Sequence, residues 1–132
     1  PELSTHSKYW IEKHRYYELK HFCLQYQLWR KARAGLDSLS RRPNMIITSR
    51  TNLVSSPVEK CAEARLFYTD RMEMLEKVAS ETDMVMANYI LKAVTEGISY
   101  DCLRTRFDIS CCKDAYYNLY RRFFWLLNKA RG

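Results

Sequence analysis

Residues 90–127 read ILKAVTEGISYDCLRTRFDISCCKDAYYNLYRRFFWLL, and the punctuation of that stretch decides the fold. An apolar run at helical spacing stops at Gly97, the residue type that ends helices in the left-handed conformation. Ser99 then stands at the N-cap of a short helix, with Ile98 and Leu103 in the two positions of a hydrophobic staple. Cys102, Leu103 and Phe107 are expected to face inward from that helix. Asp108-Ile109-Ser110 supplies a tight turn in which Ile109 plugs the angle between two helices. A long basic and aromatic helix follows over about residues 112–130, with Ala115, Leu119, Phe123, Leu126 and Leu127 expected toward the core. Tyr117, Asn118, Arg121 and Arg122 fall on its open face, and Lys113 and Tyr116 lie near its start. Residues 99–130 therefore carry the order of a helix-turn-helix.

Upstream, Ser56-Pro57-Val58-Glu59 is the clearest helix start in the chain, a capping box with proline at the first helical position. Val58, Cys61, Ala62, Met72, Leu75 and Val78/Ala79 form its apolar stripe. Glu63, Asp70, Glu73 and Glu76 alternate elsewhere with Lys60, Arg65 and Arg71, the pattern of a solvated, ion-paired face. Ser80-Glu81-Thr82-Asp83 ends this helix and caps the next, over about residues 83–96, which buries Met86, Tyr89/Ile90, Ala93 and Val94. At the other end, Tyr9, Tyr16, Leu19, Phe22, Cys23, Tyr26 and Trp29 recur at three and four residues. That period predicts one helix over residues 7–34, closed by Gly35. The prediction is thus all-α. A long N-terminal helical arm (1–35) and a linker loop (36–56) precede a helical domain (57–132) that ends in the helix-turn-helix.

Composition agrees with this division. Hydrophobic residues make up 47% of 132, enough for a buried core without metals or disulfides. Three glycines and three prolines leave room for long helices and argue against a many-turned sheet. No run reaches ~18 apolar residues, so no membrane span is expected. The N-terminal sequence lacks the apolar segment of a secretory signal, and the five cysteines form no C-x-x-C pair. Reduced thiols and a cytoplasmic location are the expectation. Cys111-Cys112 reads as a pair of small buried or half-buried residues. His6, His14 and His21 share no compact metal spacing. No nucleophile–base pair or glycine-rich phosphate loop is present, so the sequence points away from catalysis and from a cofactor.

The net charge of +7 is unevenly placed: residues 1–50 carry ten Lys/Arg against four Asp/Glu, residues 51–97 five against eight, and residues 98–132 seven against three. Two basic ends flank an acidic middle. A basic end on a helix-turn-helix pattern fits nucleic acid, and it fits a solubility surface equally well. Arg41, Arg42 and Arg50 make the connector either a DNA-backbone arm or a plain tether.

The string ISYDCLRTRFDIS resembles region 4 of bacterial sigma factors. Together with SPVEKCAEAR about forty residues earlier, it resembles small phage transcriptional regulators of the RinA/ArpU type. The resemblance spans residues 56–129. It implies a phage or prophage DNA-binding regulator whose final helix reads double-stranded DNA. Ser110, Lys113, Asp114, Tyr117, Asn118 and Arg121 would then approach the duplex, with Arg122, Arg104, Arg106, Arg41 and Arg42 as further contacts. Arginine can pair with phosphate or guanine and asparagine with adenine. About one residue more than the family spacing separates Ser110 from Ala115, which would rotate the docking on DNA and change individual base contacts while leaving the motif in place. The crowd of aromatics on that helix supports a different class of function. In that reading the protein binds another protein, as an inhibitor of a host defence factor or an adaptor for RNA polymerase. A homodimer through the first helix is a further expectation.

Overall fold

The computed structural model describes residues 8–40 and 57–132, which form six helices and no strand among the described residues. They are α1 (Lys13–Leu24), α2 (Tyr26–Ser40), α3 (Pro57–Thr82), α4 (Ala87–Glu96), α5 (Tyr100–Phe107) and α6 (Lys113–Arg131). No helix among them is long and apolar enough to cross a membrane.

The N-terminal aromatic stripe makes two helices where one was expected. Residues 8–12 are not helical; Tyr9 and Ile11 are buried, and the Glu12 carboxylate caps α1 by accepting the Arg15 N–H at 3.0 Å. At Gln25 the backbone tightens, its N–H reaching the Phe22 carbonyl at 3.2 Å, and α2 restarts with Trp29 N–H on the Gln25 carbonyl at 3.0 Å. The break serves packing. Leu19, Phe22 and Cys23 bury from α1, Tyr26 and Trp29 from α2, and the Phe22 and Trp29 rings meet edge-on at 4.9 Å across it. As a result α1 packs on α4 and α6, while α2 lies along α3. Gly35 does not end the helix. It sits inside α2 with open space where a Cβ would be, and the helix continues to Ser40.

Three side-chain links run in opposite chain directions and make α2 and α3 an antiparallel pair. The Tyr26 hydroxyl donates to Glu76 at 2.6 Å, Arg33 reaches the Thr69 hydroxyl at 3.5 Å, and Arg65 pairs with Asp37 at 3.0 Å. Ser56 and the connector, with Arg41, Arg42 and Arg50, lie outside the described residues. From Pro57 onward α3 follows expectation at Met72, Leu75, Val78 and Ala79, all buried. It departs from it in the first turns: Val58 and Ala62 are exposed and Cys61 is half-buried. Among the described residues, the side-chain link nearest that end joins Arg65 to Asp37 of α2.

Asp83 does not begin α4. Its carboxylate accepts the Val85 and Met86 N–H groups at 2.9 and 3.0 Å, stabilising a turn before the helix starts at Ala87. Met86, Ile90, Ala93 and Val94 are buried. Gly97 takes φ 69° and ψ 35°, and its N–H and that of Ile98 both return to the Ala93 carbonyl. Ser99 accepts the Cys102 N–H at 3.2 Å and starts α5. Leu103 is fully buried, but Phe107 is exposed, with the Lys92 ammonium 4.6 Å from its ring centre. The reason lies at Asp108, whose φ of 51° turns the chain back so that Ile109 N–H meets the Leu103 carbonyl at 3.3 Å. Ile109, rather than Phe107, then enters the core.

In α6 the buried residues are Tyr116, Phe123, Phe124 and Leu127. Ala115 is exposed and Leu119 and Leu126 are only half-buried. The first inward position is therefore Tyr116, placed by the sequence near the open face, and the start of the helix is turned by about one residue, roughly 100°. Tyr116 wins because its ring packs on Tyr100 at 5.4 Å and on Tyr120 at 6.1 Å, contacts that alanine cannot make.

The α2–α3 link gives a pH prediction. Burial, together with donation to the Glu76 carboxylate, pushes Tyr26 up to about 12. A group raised in the folded state contributes stability that is complete below its unfolded pKa, about 10 for tyrosine, and is lost as pH rises through the folded value. Thermal unfolding followed from pH 8 upward should therefore show a stability loss between about pH 10 and 12. Tyr26→Phe should reduce that loss, leaving the share of the other buried tyrosines, while costing about 1–2 kcal/mol at neutral pH.

Candidate nucleic-acid interface

The turn between α5 and α6 is held from below. The Tyr100 hydroxyl donates to the Cys111 carbonyl at 2.8 Å, and the Tyr100 ring packs on Tyr116 at 5.4 Å and Tyr117 at 6.4 Å. One side chain from the first turn of α5 thus fixes both the exit of the turn and the entry of α6. In the sequence Tyr100 stands out only as part of the ISYDCLRTRFDIS string. Its place directly after the N-cap serine, one helical step from Leu103, is the signal that it points inward.

Above that floor the predicted residues divide into groups. Ser110, Lys113, Asp114 and Asn118 are exposed and lie on the turn and the first two turns of α6. Arg121 is half-buried and continues the Asp114–Asn118 row at helical spacing. Arg104 and Arg106 are exposed in the last turn of α5. Among the described residues no carboxylate pairs with Arg104, Arg106, Lys113 or Arg121. Four cations are consequently available on the α5–α6 edge. Asp114, in the first turn of α6, carries the opposite charge and suits the positive end of that helix.

Arg122 and Tyr117 belong elsewhere. The Arg122 guanidinium donates to the Glu81 carbonyl at 3.5 Å, in the last turn of α3, where a cation complements the helix dipole. It also bonds to the Tyr9 hydroxyl, which lowers the Tyr9 pKa from its ordinary value. Next to it Tyr9 packs on Trp125 at 5.5 Å, and Lys129 lies 3.5 Å from the Trp125 ring centre. The N-terminal segment therefore crosses α6 at Trp125, between its open first turns and the exposed Lys129, Ala130 and Arg131 at its end. Tyr117 is half-buried against Tyr100, Tyr116 and Tyr120.

The aromatics of α6 are absorbed by the fold. Tyr116, Phe123 and Phe124 are buried, and Tyr117, Tyr120 and Trp125 are half-buried. The Tyr120 hydroxyl shares a hydrogen bond with Tyr16 at 3.0 Å, and Tyr16 packs edge-on to Phe124 at 5.1 Å. Burial raises the hydroxyl pKa of Tyr116 and Tyr120. Of the adjacent cysteines, Cys111 is half-buried with a thiol pKa raised by desolvation, and Cys112 is exposed; both are free thiols.

Compared with protein-family models, with curated proteins and with solved structures, the chain matches none.

The two neighbouring arginines should separate in a stability measurement. Arg122→Ala is expected to lower unfolding free energy by about 1 kcal/mol, through loss of the α3 C-terminal and Tyr9 contacts. Arg121→Ala should stay within about 0.5 kcal/mol of the parent chain in the same urea titration.

Proposed function

We propose that this protein binds double-stranded DNA with the α5–α6 turn and the first two turns of α6, in the manner of a helix-turn-helix, and acts as a non-catalytic transcriptional regulator. The observation that carries this reading is the division of α6. Its aromatic face is committed to the core, which removes the main reason to see the helix as a protein-binding surface. The open α5–α6 edge is short and polar, and among the described residues its four cations, Arg104 and Arg106 from α5 with Lys113 and Arg121 from α6, have no carboxylate partner. Recognition helices of this class present their N-terminal residues to base edges. Ser110 and Lys113 suit phosphate contacts there, Asn118 can bond an adenine edge, and Arg104, Arg106 and Arg121 are placed for the backbone on either side. The resemblance of ISYDCLRTRFDIS to sigma region 4, and of the wider layout to RinA/ArpU-type phage regulators, points the same way. Arg122 is left out of this contact set because its guanidinium is turned toward the end of α3 and Tyr9.

Binding should be measured on duplexes selected by the protein from a random-sequence DNA pool. Affinity should fall steeply with salt, and Lys113→Ala should lower the slope of log affinity against log salt by about 1. Asn118→Ala should cost about 1–3 kcal/mol and relax the preference at one base pair. Failure to select any duplex, or binding indifferent to salt and to both substitutions, would overturn the proposal. A stoichiometric, salt-resistant complex with a host protein, formed without DNA, would put a protein inhibitor or polymerase adaptor in its place.

A further inference from the structure

A cleft of about 200 Å³ opens between α1, the C-terminal end of α4 and the first half of α6. Its walls include Leu24 from α1, Gly97 at the end of α4, and the rings of Tyr116, Tyr117 and Tyr120, with Lys20 also lining it. Gly97 keeps the space open: its φ of +69° disfavours any side chain, and a Cβ there would stand 3.7 Å from Leu24 Cδ2. The volume exceeds the ~150 Å³ of an apolar cavity able to hold benzene. Ring walls with little room between them favour a flat, apolar body over a branched or hydrated one.

The polar groups around the cleft define the rest of the ligand. Most are already engaged: the Tyr100 hydroxyl by the Cys111 carbonyl, the Tyr120 hydroxyl by Tyr16, and the Ser99 hydroxyl by the Cys102 N–H. Three remain. Lys20 is half-buried and has no carboxylate partner among the described residues, and the Tyr116 and Tyr117 hydroxyls have no hydrogen-bond partner among them. An ammonium and hydroxyl donors beside an apolar, ring-walled space call for an anion attached to a planar group.

We infer that this cleft binds a small aromatic carboxylate, with its ring among Tyr116, Tyr117 and Tyr120 and its carboxylate on Lys20 and the Tyr117 hydroxyl. The site lies on side chains separate from the open edge of α6, so the inference stands whether or not that edge reads DNA.

The test uses the full chain, with benzoate as the probe and benzyl alcohol and benzylamine as its neutral and cationic counterparts. Backbone amide shifts should move saturably in residues 20–24, 97–100 and 116–120 with benzoate. Benzyl alcohol should bind about tenfold more weakly and benzylamine more weakly still. Lys20→Gln should reduce benzoate to the level of the alcohol, and Tyr117→Phe should weaken it severalfold. Leu24→Trp, at a position more than a third exposed, should block all three probes while leaving the thermal midpoint near that of the parent. The inference is overturned if benzoate produces no saturable shifts at these residues. Equal binding of benzylamine, or a Lys20→Gln variant that melts normally and binds benzoate unchanged, would overturn it too.

Discussion

Packing of one face of α6 is the constraint on which the rest of the structure depends. Tyr116, Phe123, Phe124 and Leu127 are each at most 1% exposed, and α1, α3 and α4 all pack against the helix that carries them. Fully burying a large apolar side chain is worth about 1.5–3 kcal/mol, so these four residues together outweigh any single surface interaction in the chain. Their angular position also decides what is left outside. Rotating α6 to bring Ala115 inward would expose Tyr116 and hide part of the Lys113–Asn118 edge. The inward choice of tyrosine over alanine thus sets both the core and the surface offered to a partner.

The N-terminal helices complete that arrangement rather than hanging from it. The break at Gln25 lets α1 cover α6 and lets α2 turn along α3, so a single aromatic stripe serves two different neighbours. Ahead of α1, Tyr9 lies over Trp125 and interacts with Arg122, covering α6 at that point while Lys129, Ala130 and Arg131 beyond it stay exposed. The open stretch next to the α5–α6 turn ends where the N-terminal segment crosses the helix. Under the proposed DNA-reading function this confines contacts to the end of the helix nearest the α5–α6 turn, where recognition helices present their N-terminal residues.

Elements governed by local chemistry were legible in the sequence. Pro57 with Glu59, the Gly97 stop, the Ser99 cap and the buried Leu103 and Ile109 each depend on residues within a few positions of themselves. What escaped depends on distant neighbours. The Gln25 break carries no glycine or proline and exists because α3, α4 and α6 pull the two halves of the stripe apart. Val58 and Ala62 continue a helical apolar pattern, yet both are exposed, since periodicity alone does not say which neighbours a helix face meets. Phe107 matched the inward period of α5 and was displaced by the left-handed Asp108, whose conformation no periodicity encodes. At the candidate site, the exposure of Ser110, Lys113, Asp114 and Asn118 could be read from helical spacing. The engagement of Arg122 could not, because its acceptor on Glu81 lies 41 residues earlier in the chain.

The central claim is that α6 presents its aromatic face to the core and only its first turns to a partner. Hydroxyl-radical footprinting with residue-level readout tests it most directly, on the free protein and on its complex with a DNA duplex selected from a random pool. The account predicts that Tyr116, Phe123, Phe124 and Leu127 stay unmodified in both states, that Trp10 and Tyr17 are oxidised in both, and that added DNA protects the exposed residues of the 110–118 stretch, Cys112 foremost. Strong oxidation of Phe123 and Phe124 in the free protein, or protection by DNA that falls on Trp125–Arg131 instead, would contradict it.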